Sequence, residues 1–123
     1  MTLSRQAAAE ALGTCLLVAA VVGSGIMAQR LAQGNDAIAL LANTIATGAA
    51  LVALILTFGP ISGAHFNPAV TGHAMVTGAM PVRTGLVYIV AQLAGGIAGS
   101  LLANAMFDLA TLSTQLHISP DIE

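Results

Sequence analysis

Phe58-Gly59-Pro60-Ile61-Ser62-Gly63-Ala64-His65-Phe66, followed at once by Asn67-Pro68-Ala69-Val70-Thr71, is the stretch on which the fold turns. It sits inside an uncharged run from Ala37 to Val82. That run is too long for one membrane crossing, which takes roughly 20 apolar residues. Glycine and proline punctuate it and break it between Phe58 and Phe66. Asn67-Pro68 then opens a new apolar stretch that reaches about Gly78. A helix over that stretch would be about 18 Å long at 1.5 Å per residue, too short to cross. Segments of about 10–14 residues suit a re-entrant piece, so a half-helix over 67–78 is expected.

Outward from this stretch the charges divide the chain. They fall at Arg5, Glu10, Arg30, Asp36, Arg83, Asp108, Asp121 and Glu123. The uncharged intervals predict spans over 7–27, 37–57 and 84–107, with a polar loop from Ala28 to Asp36. The expected fold class is therefore an all-α membrane protein with three transmembrane helices and one re-entrant half-helix. The membrane-embedded part would occupy residues 1–107, and a C-terminal tail without a span of its own residues 108–123. Composition agrees: 57% of the 123 residues are hydrophobic and 7% charged, against about 25% charged in soluble domains. Mean hydropathy is +0.91. The lipid bilayer is the natural solvent for such a chain. A net charge of -2 without a basic cluster excludes nucleic acid as a partner. Cys15 lies in an apolar run and reads as a small buried hydrophobe. Glu10 interrupts what would be a signal-peptide core, so the first span is expected to be retained.

Small residues recur every four positions on the third span, at Ala91, Gly95, Gly99 and Ala103. Gly95 and Gly99 form a GxxxG, the spacing that lets membrane helices pack closely. Ala42, Ala46 and Ala50 repeat the pattern on the second span.

Irregular backbone at membrane depth is tolerated only where it is buried in protein or lines a water-filled cavity. The break exposes the carbonyls of Gly63, Ala64 and His65. Asparagine is a preferred N-cap, and proline at the first helical position loses no bond. The free amides and dipole place partial positive charge at Asn67, which repels a cation and not a neutral dipolar solute. Acceptors on one side, an amide donor at the centre and a cation-excluding dipole make a filter for neutral solutes.

The run Ile61 to Thr71, with Asn67-Pro68-Ala69 at its centre, resembles the signature of the major intrinsic protein (aquaporin and aquaglyceroporin) family. Ala9-Glu10-Ala11-Leu12-Gly13-Thr14 and Ala91-Gln92-Leu93-Ala94-Gly95 extend the likeness to the first and third spans. The resemblance covers the N-terminal half of the family pattern. It implies a water channel or glycerol facilitator, multi-pass in the cell (inner) membrane, passing water and small neutral solutes such as glycerol or metalloid hydroxides. It implies that Glu10 and Gln92 brace the irregular loop, that the His65 carbonyl faces solute, and that Thr47 lines the narrow filter. Water- and glycerol-passing members usually carry an aromatic ring at that last position, so Thr47 suggests a wider opening.

The family pattern pairs two inverted repeats whose half-helices meet tip to tip, the second repeat supplying another such motif and a filter arginine. Neither Arg30 nor Arg83 stands in a matching context, and this chain ends before a second repeat. The expectations are a truncated product, a half-channel completed by another chain, or an antiparallel pair of copies; a homo- or hetero-oligomer would then supply the missing repeat. The alternative is a non-conducting membrane scaffold or regulatory subunit that uses its GxxxG face. No cofactor, metal or enzymatic chemistry is expected: there is no nucleophile–base set, no paired carboxylates, and no metal-ligand spacing among the histidines. Arg5 and Arg83 fall on one side of the membrane and Arg30 on the other, which favours a cytoplasmic N-terminus.

Overall fold

The computed structural model describes residues 1–118, with side chains through residue 108. The chain is helical, with no strand among the described residues. It runs α1 (Leu3–Leu31), α2 (Asp36–Ser62), α3 (Pro68–Val76) and α4 (Val82–Ile118). Three of these, Leu3–Leu31, Asp36–Ser62 and Val82–Asp108, are long and apolar enough to cross a membrane. The nine residues of α3 span only about 14 Å and cannot cross. The fold is thus three transmembrane helices and one re-entrant half-helix.

The caps explain where the elements start and stop. Thr2 caps α1 by accepting from the Arg5 amide. Asn35 caps α2 by accepting from the Ile38 amide at 3.2 Å. Gly63 ends α2 in the left-handed region at φ 86, where glycine carries no steric penalty. Asn67 caps α3, its Oδ1 accepting from the Ala69 amide at 2.8 Å, with Pro68 in the first helical position.

The helices outrun the spans expected from charge alone. α1 continues through Arg30 to Leu31, so the expected loop from Ala28 shrinks to 32–35. Arg30 stays in the helix, and its guanidinium lies over the Phe107 ring of α4, 5.2 Å from the centroid. α2 passes through Phe58, Gly59 and Pro60 to Ser62, so the break starts at Gly63 and not at Phe58. Pro60 removes a single N–H in the last turn, and the Gly63 amide still reaches the Gly59 carbonyl at 2.9 Å. α3 ends at Val76, with Thr77 as its cap and Gly78 turning the chain at φ 77. α4 does not stop at Phe107 but continues to Ile118. The rest of the expected tail, including Pro120, lies outside the described residues.

α1 is the central helix; it packs on α2 and on α4, while α3 packs on α4. α1 and α4 run parallel and touch backbone to backbone. A Cβ added at Gly95 would strike the carbonyl of Ala11, and one at Gly99 that of Cys15. Ala103 continues this buried row at 1% exposure. On α2, by contrast, Ala42 is exposed and Ala46 and Ala50 are half-buried. α1 and α2 are joined instead by Asn43, whose Nδ2 donates to the Val21 carbonyl and to Ser24 Oγ, each at 2.9 Å. Large apolar side chains such as Leu40, Leu56, Val90, Ile97 and Leu101 face outward, as expected of surfaces solvated by lipid.

Candidate functional site

The loop 63–66 and the tip of α3 form the candidate site. Three residues here have positive φ: Gly63 at 86, Ala64 at 53 and Phe66 at 53. Alanine and phenylalanine avoid this region, at a cost on the order of 1–3 kcal/mol each. Surrounding contacts hold them there. Phe66 is buried and sets its ring against Gly13 of α1, where any Cβ would overlap it. The Phe58 ring meets it edge-on, at 6.1 Å between centroids. Gly13 is therefore the seat for the loop's anchor.

Beneath the loop lies a buried polar cluster. Glu10 of α1 is wholly buried. Its Oε1 accepts from the His65 amide at 3.1 Å and its Oε2 from the Phe66 amide at 3.1 Å. Gln92 of α4 donates from Nε2 to Glu10 Oε1 at 3.4 Å and to Thr71 Oγ1 at 2.9 Å. Thr71 Oγ1 also lies 2.9 Å from His65 Nδ1. Tyr88 of α4 donates its hydroxyl to the Ser62 carbonyl at 2.7 Å and packs its ring edge-on to His65, at 5.3 Å. Ser62 Oγ accepts from the Ala64 amide at 3.1 Å. These bonds satisfy the loop's donors; its acceptors stay free. None of the carbonyls of Gly63, Ala64 and His65 accepts a hydrogen bond within the described chain.

The remaining expected site residues fall in two places. Asn67, Pro68 and Ala69 are exposed at the tip of α3, the Asn67 side chain using its oxygen on the Ala69 amide. Thr47 lies mid-way along α2 and is half-buried, and its hydroxyl has no partner. Thr44 and Thr57 on the same helix donate to carbonyls one turn back, at 2.8 and 2.7 Å. One turn before Thr47, Asn43 lines a cavity of about 490 Å³ together with Gly25, Gln29 and Asp36. No group of side chains among the described residues could hold a metal ion.

Thr71, Tyr88, Ser62 and the Gly13–Phe66 seat were not singled out by sequence reasoning. Thr71 lay in the quoted motif and read only as a hydroxyl bonding nearby backbone, whereas its bonds go to the side chains of His65 and Gln92. Tyr88 is the chain's one tyrosine, set in an apolar span. A lone phenol there has to find a hydrogen-bond partner, which was an available signal.

Fold and loop together define a multi-pass membrane protein built around a re-entrant half-helix. The chain belongs to the family described as Major intrinsic protein, which it matches over residues 1–121. It is similar to Aquaglyceroporin AqpS of Rhizobium meliloti (strain 1021), 56% identical over 116 residues, covering 94% of this chain and 49% of that protein. It is similar also to Aquaporin TIP1-2 of Zea mays, 39% identical over 101 residues, covering 80% of this chain and 40% of that one. Aquaporin Z of Rhodopseudomonas palustris is 38% identical over 108 residues, covering 83% and 44%. The chain spans about half the length of the curated relatives it matches. Members of this family are channels and not enzymes.

Proposed function

We propose that this chain forms one half of a pore for water and small neutral solutes, in the cell (inner) membrane. The observation that carries the reading is the juxtaposition at the loop. Three unpaired carbonyls at 63–65 lead directly to the exposed Asn67, which caps a helix of nine residues. Carbonyl oxygens accept from a passing hydroxyl or water, and the Asn67 amide donates to it. The positive end of the α3 dipole disfavours cations at the same point. In this reading Glu10 and Gln92 brace the loop, and Gly95 and Gly99 fix α4 against α1 so that Gln92 reaches it. Thr47 borders the narrow part of the path. Its small side chain supports an opening wide enough for glycerol or a metalloid hydroxide; its hydroxyl is itself buried and without a partner. The aquaglyceroporin among the similar proteins supports the same solute class.

A single half-helix walls one side of such a path. The other wall comes from a second repeat in inverted orientation, on the same polypeptide or on an oligomeric partner. A scaffold acting through the GxxxG face is disfavoured, because α1 already occupies that face.

The test is osmotic shrinkage of lipid vesicles holding the purified chain, followed by stopped-flow light scattering with water and then glycerol. Where copies of this repeat in inverted orientation supply both walls, the rate exceeds that of empty vesicles and Asn67→Asp abolishes it. A rate equal to empty vesicles, from folded and inserted protein, excludes a pore assembled from copies of this repeat.

A further inference from the structure

The polar groups under the loop form a chain of hydrogen bonds with one direction. It starts at Glu10, which accepts from the amides of His65 and Phe66 and from Gln92 Nε2. A carboxylate has no proton to return, so Gln92 must present its NH2 group there. The same nitrogen donates to Thr71 Oγ1 at 2.9 Å. Thr71 is wholly buried, and its own hydroxyl proton needs an acceptor. Thr44, Thr57 and Thr77 each give theirs to a carbonyl four residues back. Thr71 makes no such bond; the one other group in reach is His65 Nδ1, at 2.9 Å. The proton goes to that nitrogen, which therefore accepts. A neutral imidazole whose Nδ1 accepts carries its hydrogen on Nε2. The same order accounts for Gln92 Oε1, which is buried without a partner. Holding the amide nitrogen on Glu10 and Thr71 turns the oxygen away from any donor, and the reverse placement would set it against a carboxylate.

We infer that Thr71 is a positioning residue whose hydroxyl fixes His65 in the Nε2–H tautomer, giving the loop a proton donor beside its row of carbonyl acceptors. His65 is half-buried, and Nε2 lies on the flank of Gly63: a Cβ added at Gly63 would sit 3.6 Å from it. Glycine leaves that flank open. A neutral hydroxylic solute can give its protons to the carbonyls and accept from Nε2–H, so the ring adds a donor that the backbone lacks. This role toward solute rests on the pore reading; the tautomer does not.

The experiment is nitrogen-15 magnetic resonance of ring-labelled histidine in the full chain in lipid bilayers, at about pH 8, where an ordinary imidazole is neutral. His73→Gln and His117→Gln isolate the His65 signals. The expected spectrum has a protonated Nε2 and a bare, hydrogen-bonded Nδ1. Thr71→Val, which keeps the shape and removes the hydroxyl, should lose the hydrogen-bond shift at Nδ1 and give a mixture of tautomers, and Thr71→Ser should restore the single form. A hydrogen on Nδ1 in the unsubstituted protein overturns the inference without any variant having to fold. So does a Thr71→Val spectrum unchanged in protein of equal helicity. A protonated Nε2 in a chain without osmotic flux would uphold the tautomer and count against the pore.

Discussion

Glu10 is wholly buried, yet its carboxylate is spent on backbone amides and not on a cation. Bonds to a charged acceptor contribute about 1.5–3 kcal/mol each. That is the scale needed to hold Ala64 and Phe66 at positive φ. Glu10→Gln keeps the size but replaces one acceptor oxygen with a donor, which then faces the N–H groups of His65, Phe66 and Gln92. We expect a loss of about 2 kcal/mol or more, read as a thermal midpoint several degrees lower in detergent. An unchanged midpoint would mean that the Phe66 seat alone holds the loop. At this scale, Asn67 as a cap and Pro68 behind it were legible, because Asn-Pro states its own local geometry. Thr71 and Tyr88 were not, because their partners lie 21 and 26 residues away in sequence. Which hydroxyl meets which carbonyl is decided by how helices dock.

The helices themselves were legible in number and order, and their ends were not. Charge and proline mark where a span leaves hydrocarbon, but a helix need not stop there. Arg30 remains helical and lies on Phe107, and Pro60 is absorbed in the last turn of α2. The GxxxG row shows which part of an element's surface is unforgiving. Gly95 meets the backbone of Ala11, which cannot move aside, whereas a Cβ at Gly96 would stand 3.9 Å from the side chains of Thr14 and Val18. Gly95→Val should therefore cost several kcal/mol, or prevent folding. Gly96→Ala should change stability by no more than about 0.5 kcal/mol. Comparing their thermal midpoints checks the seam, and equal effects would mean that α1 and α4 are not in this register.

For the molecule as a whole, the parallel course of α1 and α4 puts Arg5 and Arg83 at one end and Arg30 at the other. Basic residues near the spans favour the cytoplasmic side, so a reporter placed in the 32–35 loop should read as external. An equal split between the two faces would instead suit copies inserted in both senses. The outward apolar surface of α2 was legible from composition; which part meets lipid and which meets an opposite repeat is not a property of one repeat.

The long reach of the Glu10 bonds also sets an order of events. Its acceptor oxygens wait for amides 55 and 56 residues further along, and for Gln92 at a separation of 82. At about 5–20 residues per second, a growing chain takes several seconds to make them. If α1 enters the membrane during that interval, it does so with an unpartnered acid near its beginning. Glu10 lies seven positions beyond Leu3, or about 10 Å of helix. A buried acid in a membrane helix is costly until it is paired, and at that offset the cost depends on how close the young helix holds it to the headgroups. The glutamate is thus fully paired only when the backbone it serves and Gln92 are both in place.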